Sequence, residues 1–273
     1  MKMKAPFHPC MNNDAHDKVA RIHLPVAPEC NIQCLFCTRK ITPHDTKTKC
    51  PGRATRILTP AEALEKARTF RKKWGPDSII GIAGPGDPLA NPETFETLDL
   101  IRNNFPDAPI CLCTNGLLLP DSIKALQKLN MHHVSLTVNG VLPEIVQQIT
   151  PWILHNNIKF RGLEGATILI QHQLEGIRAA SEAGMFIKVN TVVVPRINGQ
   201  HVTEIADTVK EAGANLFNPV PLIPGGSLNK HKRPAREDMT RIRKTCEKTL
   251  PIFYKCKQCR ADAEGIPGQE ACA

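Results

Sequence analysis

Cys30, Cys34 and Cys37 stand at the spacing C-x3-C-x2-C, with Phe36 immediately before the third cysteine. Three thiolates from one short loop can hold three irons of a [4Fe-4S] cube and leave the fourth iron open to an outside ligand. The competing reading is a zinc loop, because zinc also takes cysteines at short spacing. Closed zinc sites answer one cysteine pair with a second pair, whereas three clustered cysteines suit an open iron.

Eight further cysteines raise the total to eleven. The N-terminus MKMKAPFHPC has no hydrophobic signal core, so a cytoplasmic protein with reduced thiols is expected, and the cysteines read as metal ligands or catalytic groups rather than disulfides. Cys256 and Cys259 form a ligand-spaced pair in a polar tail; alone, such a pair reads as half of a zinc site, with Cys246 within sequence reach. Cys10 lies far upstream in His8-Pro9-Cys10. Cys111 and Cys113 share one face of a strand, Cys113 being nearer its carboxyl end. His23, between Ile22 and Leu24, is turned away from both by the two-residue period, and a lone strand histidine reads first as a hydrogen-bonded core residue.

The elements that position these groups follow from periodicity and caps. Residues 19–27 read as a strand feeding the Cys30 loop, which continues for about thirty residues, long enough to be functional. Thr59-Pro60-Ala61-Glu62 is a capping box with proline at the first helical position, predicting a helix to about Trp74. Strands are then expected at Ser78–Gly84, Pro109–Cys113, His133–Val138, Met185–Val194 and Asn215–Val220. Helices are expected from Asn91-Pro92 to Asn104, over Asp121–Leu129, and around 142–149, 166–183 and 200–212. Strands alternating with helices give a parallel sheet with right-handed crossovers, whose chemistry sits at the carboxyl ends of the strands. After residue 225 the alternation stops: a polar linker, a helix near 236–249 and the Cys256 tail follow.

The chain of 273 residues is 41% hydrophobic, enough for one large α/β barrel or two small domains, and holds no apolar run long enough to span a membrane. The net charge of +9 raises the possibility of nucleic-acid binding, but nine Phe, two Trp and one Tyr provide no visible stacking module, so no nucleic acid is expected.

The C-x3-C-x-aromatic-C run resembles the signature of the radical S-adenosylmethionine (SAM) enzymes, in which the open iron chelates SAM and drives its reductive cleavage. That resemblance implies an open (β/α)6 partial TIM barrel. Gly84-Pro85-Gly86-Asp87-Pro88 resembles the superfamily's glycine-rich motif for the SAM amino group, with Asp87 where glutamate is common. Thr114-Asn115-Gly116, the strand face bearing Ser135 and Thr137, and Asn190-Thr191 are further candidate contacts to the cofactor.

A closer resemblance rests on His8-Pro9-Cys10, on Ala20-Arg21-Ile22-His23 through Val26-Ala27-Pro28 to Cys34, on Thr114-Asn115-Gly116-Leu117, and on Cys256 to Cys259 followed by Arg260-Ala261-Asp262-Ala263. Together these are similar to the NifB family of nitrogenase cofactor maturases, from about residue 8 to 265, in the short form without a NifX-like domain. The resemblance implies three cubes: Cys30, Cys34 and Cys37 on the radical cluster; His23, Cys50 and Cys113 on one auxiliary cluster; Cys10, Cys256 and Cys259 on the other. It implies a single radical SAM domain over 1–273, with a barrel core at about 19–225 and ligand-bearing segments 1–18 and 226–273 lying over the barrel mouth. It implies a SAM-derived carbide inserted as two clusters fuse into an eight-iron precursor, with no catalytic side chain beyond the cluster ligands. Cluster donors, a cofactor carrier or scaffold and an electron donor such as ferredoxin are the implied partners of a monomer. One departure is visible: the family's next cysteine follows the triad closely and precedes a Glu-x-Arg-Pro-Gly run, whereas Cys50 lies thirteen residues after Cys37 and precedes Pro51-Gly52-Arg53. Cys111, Cys246 and Cys272 receive no ligand role, the first two being expected as packing residues. Two other functions fit parts of the pattern: a peptide-modifying radical SAM maturase with auxiliary clusters, and a basic zinc protein binding nucleic acid.

Overall fold

A computed structural model describes residues 6–45 and 50–269. Six parallel strands run in sequence order across one sheet: β1 (Arg21–His23), β2 (Ile79–Ile82), β3 (Ile110–Thr114), β4 (His133–Thr137), β5 (Phe186–Val193) and β6 (Leu216–Pro221). A two-residue strand, β7 (Glu264–Gly265), joins antiparallel at the β1 edge, an addition that the alternation pattern does not reveal. The crossover helices are α1 (Pro60–Trp74), α2 (Pro92–Asn104), α3 (Leu119–Lys128), α4 (Gly162–Glu182) and α5 (Val202–Glu211), with α6 (Arg236–Cys246) after β6. Alternate residues such as Ile22, Ile80, Leu112, Val134 and Ile187 face the helices and form the main core with Phe70, Leu98, Ile101 and Leu126. The other face lines the interior of the partial barrel.

Local chemistry explains most boundaries. Thr59 caps α1 with both halves of the capping box in place, worth about 1 kcal/mol. β1 is shorter than the expected 19–27 because Pro25 has no amide hydrogen to continue the ladder. Between β4 and α4 lies an unexpected hairpin, Trp152–His155 with Ile158–Arg161, turned by Asn156 and Asn157 at φ of 49° and 61°. An Asn-Asn pair with both φ positive suits the tight hairpin turn. This hairpin extends the cysteine loop, because Ile32 and Gln33 pair with Ile153 and Trp152.

Among the described terminal residues, 11–19 lie at the amino-terminal end of the strands, while Cys10, Cys256 and Cys259 line the chamber. Met11 packs with Phe186, Leu216 and Phe253, and Ala15 and Val19 pack with Ile79, so residues 11–19 plug the amino-terminal end of the strands. The C-terminal segment bridges the two sheet edges: Ile252 pairs with Phe217 on β6, and Gly265 pairs with Arg21 on β1. It closes the open side of the half-barrel, because two unpaired edge strands would leave a row of unsatisfied backbone groups there. The expected polar linker is also partly structured, with the Ser227 amide donating to Leu35 O at 2.8 Å and seating residues 225–228 on the cysteine loop.

Candidate active site

The Cys30 loop leaves the carboxyl end of β1 and is held from three sides. Leu154 N donates to Asn31 O at 2.7 Å, Leu35 N to Ile149 O at 2.9 Å, and Asn115 Nδ2 to Asn31 Oδ1 at 2.7 Å. From below, the Gly84–Asp87 turn supports it: Gly86 N donates to Ala27 O and Asp87 N to Glu29 O. Glycine is required at 86 because a Cβ there would stand 1.9 Å from Glu29 O. Its close approach is therefore to the cysteine loop itself.

One cavity of about 310 Å3 is lined by all nine expected metal ligands, Cys10, His23, Cys30, Cys34, Cys37, Cys50, Cys113, Cys256 and Cys259, and also by Cys111. Gly86, Asp87, Thr114, Asn115, Ser135, Thr137 and Asn190 line it too. Gly84 stands behind the wall, with Ala261 opposite, and Thr191 is turned away, its hydroxyl bonded to Val138 O at 2.7 Å. Thr191 is thus a backbone brace and not a wall residue, contrary to the expectation from its neighbour. Asp87 is buried, and its carboxylate accepts from Thr114 Oγ1, Asn115 N and Leu89 N. Burial nevertheless pushes its pKa up to about 6. Asn218 Nδ2 holds Asn190 Oδ1 at 2.7 Å, which turns the Asn190 amide nitrogen toward Cys113 Sγ, 3.8 Å away.

The thiols are poised for a cationic guest. Burial pushes Cys30 and Cys113 up to about 11 and raises Cys34, Cys37, Cys50 and Cys111. Without metal these groups are neutral at pH 7; iron would displace their protons. Among the described residues no three ligand side chains converge on a single ion. A closed zinc site requires such convergence, whereas a cube asks each thiolate for its own iron.

His23 has the arrangement of a metal-ligating imidazole. Its Nδ1 hydrogen donates to Arg260 O at 2.9 Å, which leaves Nε2 with a free lone pair, and burial drives its pKa down to about 3. His23, Gly81 and Cys111 lie in one register row across β1, β2 and β3. A Cβ on Gly81 would stand 3.0 Å from Cys111 Sγ and 3.3 Å from His23 Cδ2, so the two side chains converge over that glycine. Cys113 lies one row further toward the mouth, in register with Ser135. Both cysteines line the chamber, so Cys111 is more than a packing residue, and Cys111 rather than Cys113 is the one at the level of His23. Strand periodicity put both on one face and could not choose between them. Cys246 is buried among core side chains, as expected of a packing residue, and Cys272 lies outside the described residues.

The C-terminal phrase fastens the rest. Arg260 and Asp262 form a buried ion pair at 2.8 Å, and Asp262 also accepts from Thr55 N at 2.6 Å, tying the chain end to the segment after Cys50. Arg21 NH2 donates to Cys259 Sγ at 3.1 Å, and Lys188 Nζ donates to Cys10 O at 2.9 Å.

Comparison with known proteins agrees with this geometry. Residues 24–209 match the model of the radical SAM superfamily. The chain is 44% identical to the FeMo cofactor biosynthesis protein NifB of Methanocaldococcus infernus, over 95% of this chain and 85% of that protein. Among solved structures, a radical SAM methyltransferase from Sphaerobacter thermophilus superposes with a TM-score of 0.59 at 17% identity, covering 93% of this chain and 70% of the other. Streptococcus suis SuiB bound to its precursor peptide SuiA superposes at 0.62 and 12% identity, covering 87% and 49%. At such identities these two share the fold alone. No helix among the described residues is long and apolar enough to cross a membrane. The superfamily match, the cysteine loop at the carboxyl end of β1 and the NifB identity along nearly the whole chain lead to one conclusion: this is a radical SAM enzyme belonging to the NifB family of FeMo cofactor biosynthesis proteins.

Proposed function

We propose that this chain, acting as one catalytic unit, fuses two [4Fe-4S] clusters around a SAM-derived carbide into the eight-iron precursor of the nitrogenase cofactor. The observation that carries the reading is that a single chamber is lined by the C-x3-C-x2-C triad and by two further ligand groups. Cys30, Cys34 and Cys37 hold the radical cluster, which, with SAM, supplies the methyl group and the hydrogen-abstracting radical. His23, Cys111 and Cys50 hold one substrate cluster on the barrel strands and the cysteine loop. Cys10, Cys256 and Cys259 hold the other, from the segments that plug and close the barrel.

The protein's own contribution is placement. Ser135, Thr137 and Asn190 offer polar contacts to SAM above Cys113, while Asp87, engaged by three protein donors, sets the position of the Thr114-Asn115 turn. His23 is a neutral ligand, weaker than thiolate, and suits a cluster that must leave its site. The closed side of the barrel keeps water from the reacting groups. Cluster donor proteins, a ferredoxin-like electron donor and a cofactor carrier complete the cycle in the cytoplasm, with the enzyme as a monomer. A peptide-modifying maturase shares the fold, but leaves Cys10 and His23 without a role.

Anaerobic reconstitution tests the reading. Iron should approach about twelve per chain, and alanine at Cys30, Cys34 and Cys37 together should remove about a third of it and abolish SAM cleavage. A plateau near about four irons in the wild type contradicts the substrate-cluster sites.

A further inference from the structure

Lys188 is a buried lysine with no carboxylate beside it among the described residues. It stands on β5 in register with Ser135 of β4, its side chain lines the chamber, and it is 5% exposed. Its ammonium donates to Cys10 O at 2.9 Å and sits over the Phe253 ring at 5.3 Å. Among the described residues its partners are that carbonyl and that ring, and neither is a carboxylate. The side chains that feel its charge are Cys111, Cys113, His8 and His23, and Arg21 adds a second positive charge at the same end of the chamber.

Removing an ammonium from water is costly, and one carbonyl with one aromatic face recovers only part of that cost. In the metal-free chain the fold holds Lys188 against one carbonyl and one ring, with no carboxylate partner among the described residues. A thiolate-bound iron–sulfur cube is an anion, and its arrival supplies the missing charge. The ammonium touches the backbone of Cys10 and acts on Cys111, the members of two different ligand groups.

We infer that Lys188 is the counter-cation of the substrate clusters, a positioning residue set between the Cys10 group and the His23–Cys111 group. This rests on the assignment of those groups as cluster sites. A fixed positive charge at this point retains both cubes and favours the more negative, reduced state of each, so it raises their potentials. The competing role is a strut, in which the ammonium does no more than hold the Cys10 carbonyl.

The test compares the full-length wild type with Lys188→Met and Lys188→Gln, the second keeping a hydrogen-bond donor for Cys10 O without the charge. Metal-free, both variants should melt at or above the wild-type temperature. Loaded with iron and sulfide, both should show more negative midpoint potentials for the substrate clusters and release iron to a chelator about tenfold faster, equivalent to ~1.4 kcal/mol. Lys188→Arg should behave as the wild type. If Lys188→Met unfolds or melts lower without metal while Lys188→Gln keeps wild-type potentials and release, Lys188 is a strut and the inference fails. If Lys188→Met fails to fold but Lys188→Gln shifts the potentials, the inference stands. A wild type that loads only about four irons fails the cluster assignment itself, which the iron count shows before any variant is compared.

Discussion

The guanidinium of Arg21, on the first strand, donates to Cys259 Sγ at 3.1 Å across 238 residues of sequence. Arg21 also donates to Gly265 O at 3.1 Å, so one buried side chain joins the floor of the barrel, the proposed cluster ligand Cys259 and the strand that closes the open side. Arg21→Met should lower stability by roughly 2–4 kcal/mol, because it leaves buried partners unsatisfied, and should deplete iron from the Cys10 group first. Chemical denaturation and iron analysis check this; unchanged iron with lowered stability would reduce Arg21 to a structural tie.

Gly86 is set against the cysteine loop, so Gly86→Ala should act on the radical cluster while leaving the floor intact. A Cβ at 1.9 Å from Glu29 O forces the backbone apart, with an expected cost of about 2–4 kcal/mol. The variant should lose SAM cleavage and about a third of its iron. Full cleavage activity in Gly86→Ala would show that the turn is not what seats the loop.

Cys111 and Cys113 separate by role. Cys111→Ala should remove the cluster with imidazole coupling in pulsed paramagnetic resonance, as should His23→Ala, while Cys113→Ala should keep it. Loss of that coupling in Cys113→Ala alone would restore the pairing expected from the sequence.

Asp87 gives a pH signature. Its folded pKa of about 6 lies above the ordinary carboxylate value, so the native state holds a proton that the unfolded chain has released. Stability from this group is present below about pH 4 and is lost as pH rises through 6. With a shift of about two pKa units the full effect is ~3 kcal/mol. In the metal-free protein, urea unfolding of wild type and Asp87→Asn should diverge across this window, the variant lacking the decline. Parallel stability curves for the two proteins from pH 4 to 7 would show that Asp87 is not the titrating group.

The sequence by itself determined the chemistry and the plan. Three cysteines at C-x3-C-x2-C, the Thr59–Glu62 capping box and the alternation of strands with helices are local signals, carried by neighbouring residues, and each appears in the structure where its spacing puts it. The tertiary structure decided what joins distant segments. Period-two alternation places Cys111 and Cys113 on the same face, but only the register across β1, β2 and β3 sets Cys111 level with His23. The sequence marks a polar linker, a helix near 236–249 and the Cys256 tail after residue 225, but only the two bare edges of the half-barrel explain why this segment runs between β6 and β1. Glycine at 86 reads as ligand contact in the sequence, and the structure adds a second demand, the carbonyl of Glu29 on the loop above. Short-range spacing fixes which atoms can bind iron; sheet register and chain closure fix which of them stand together.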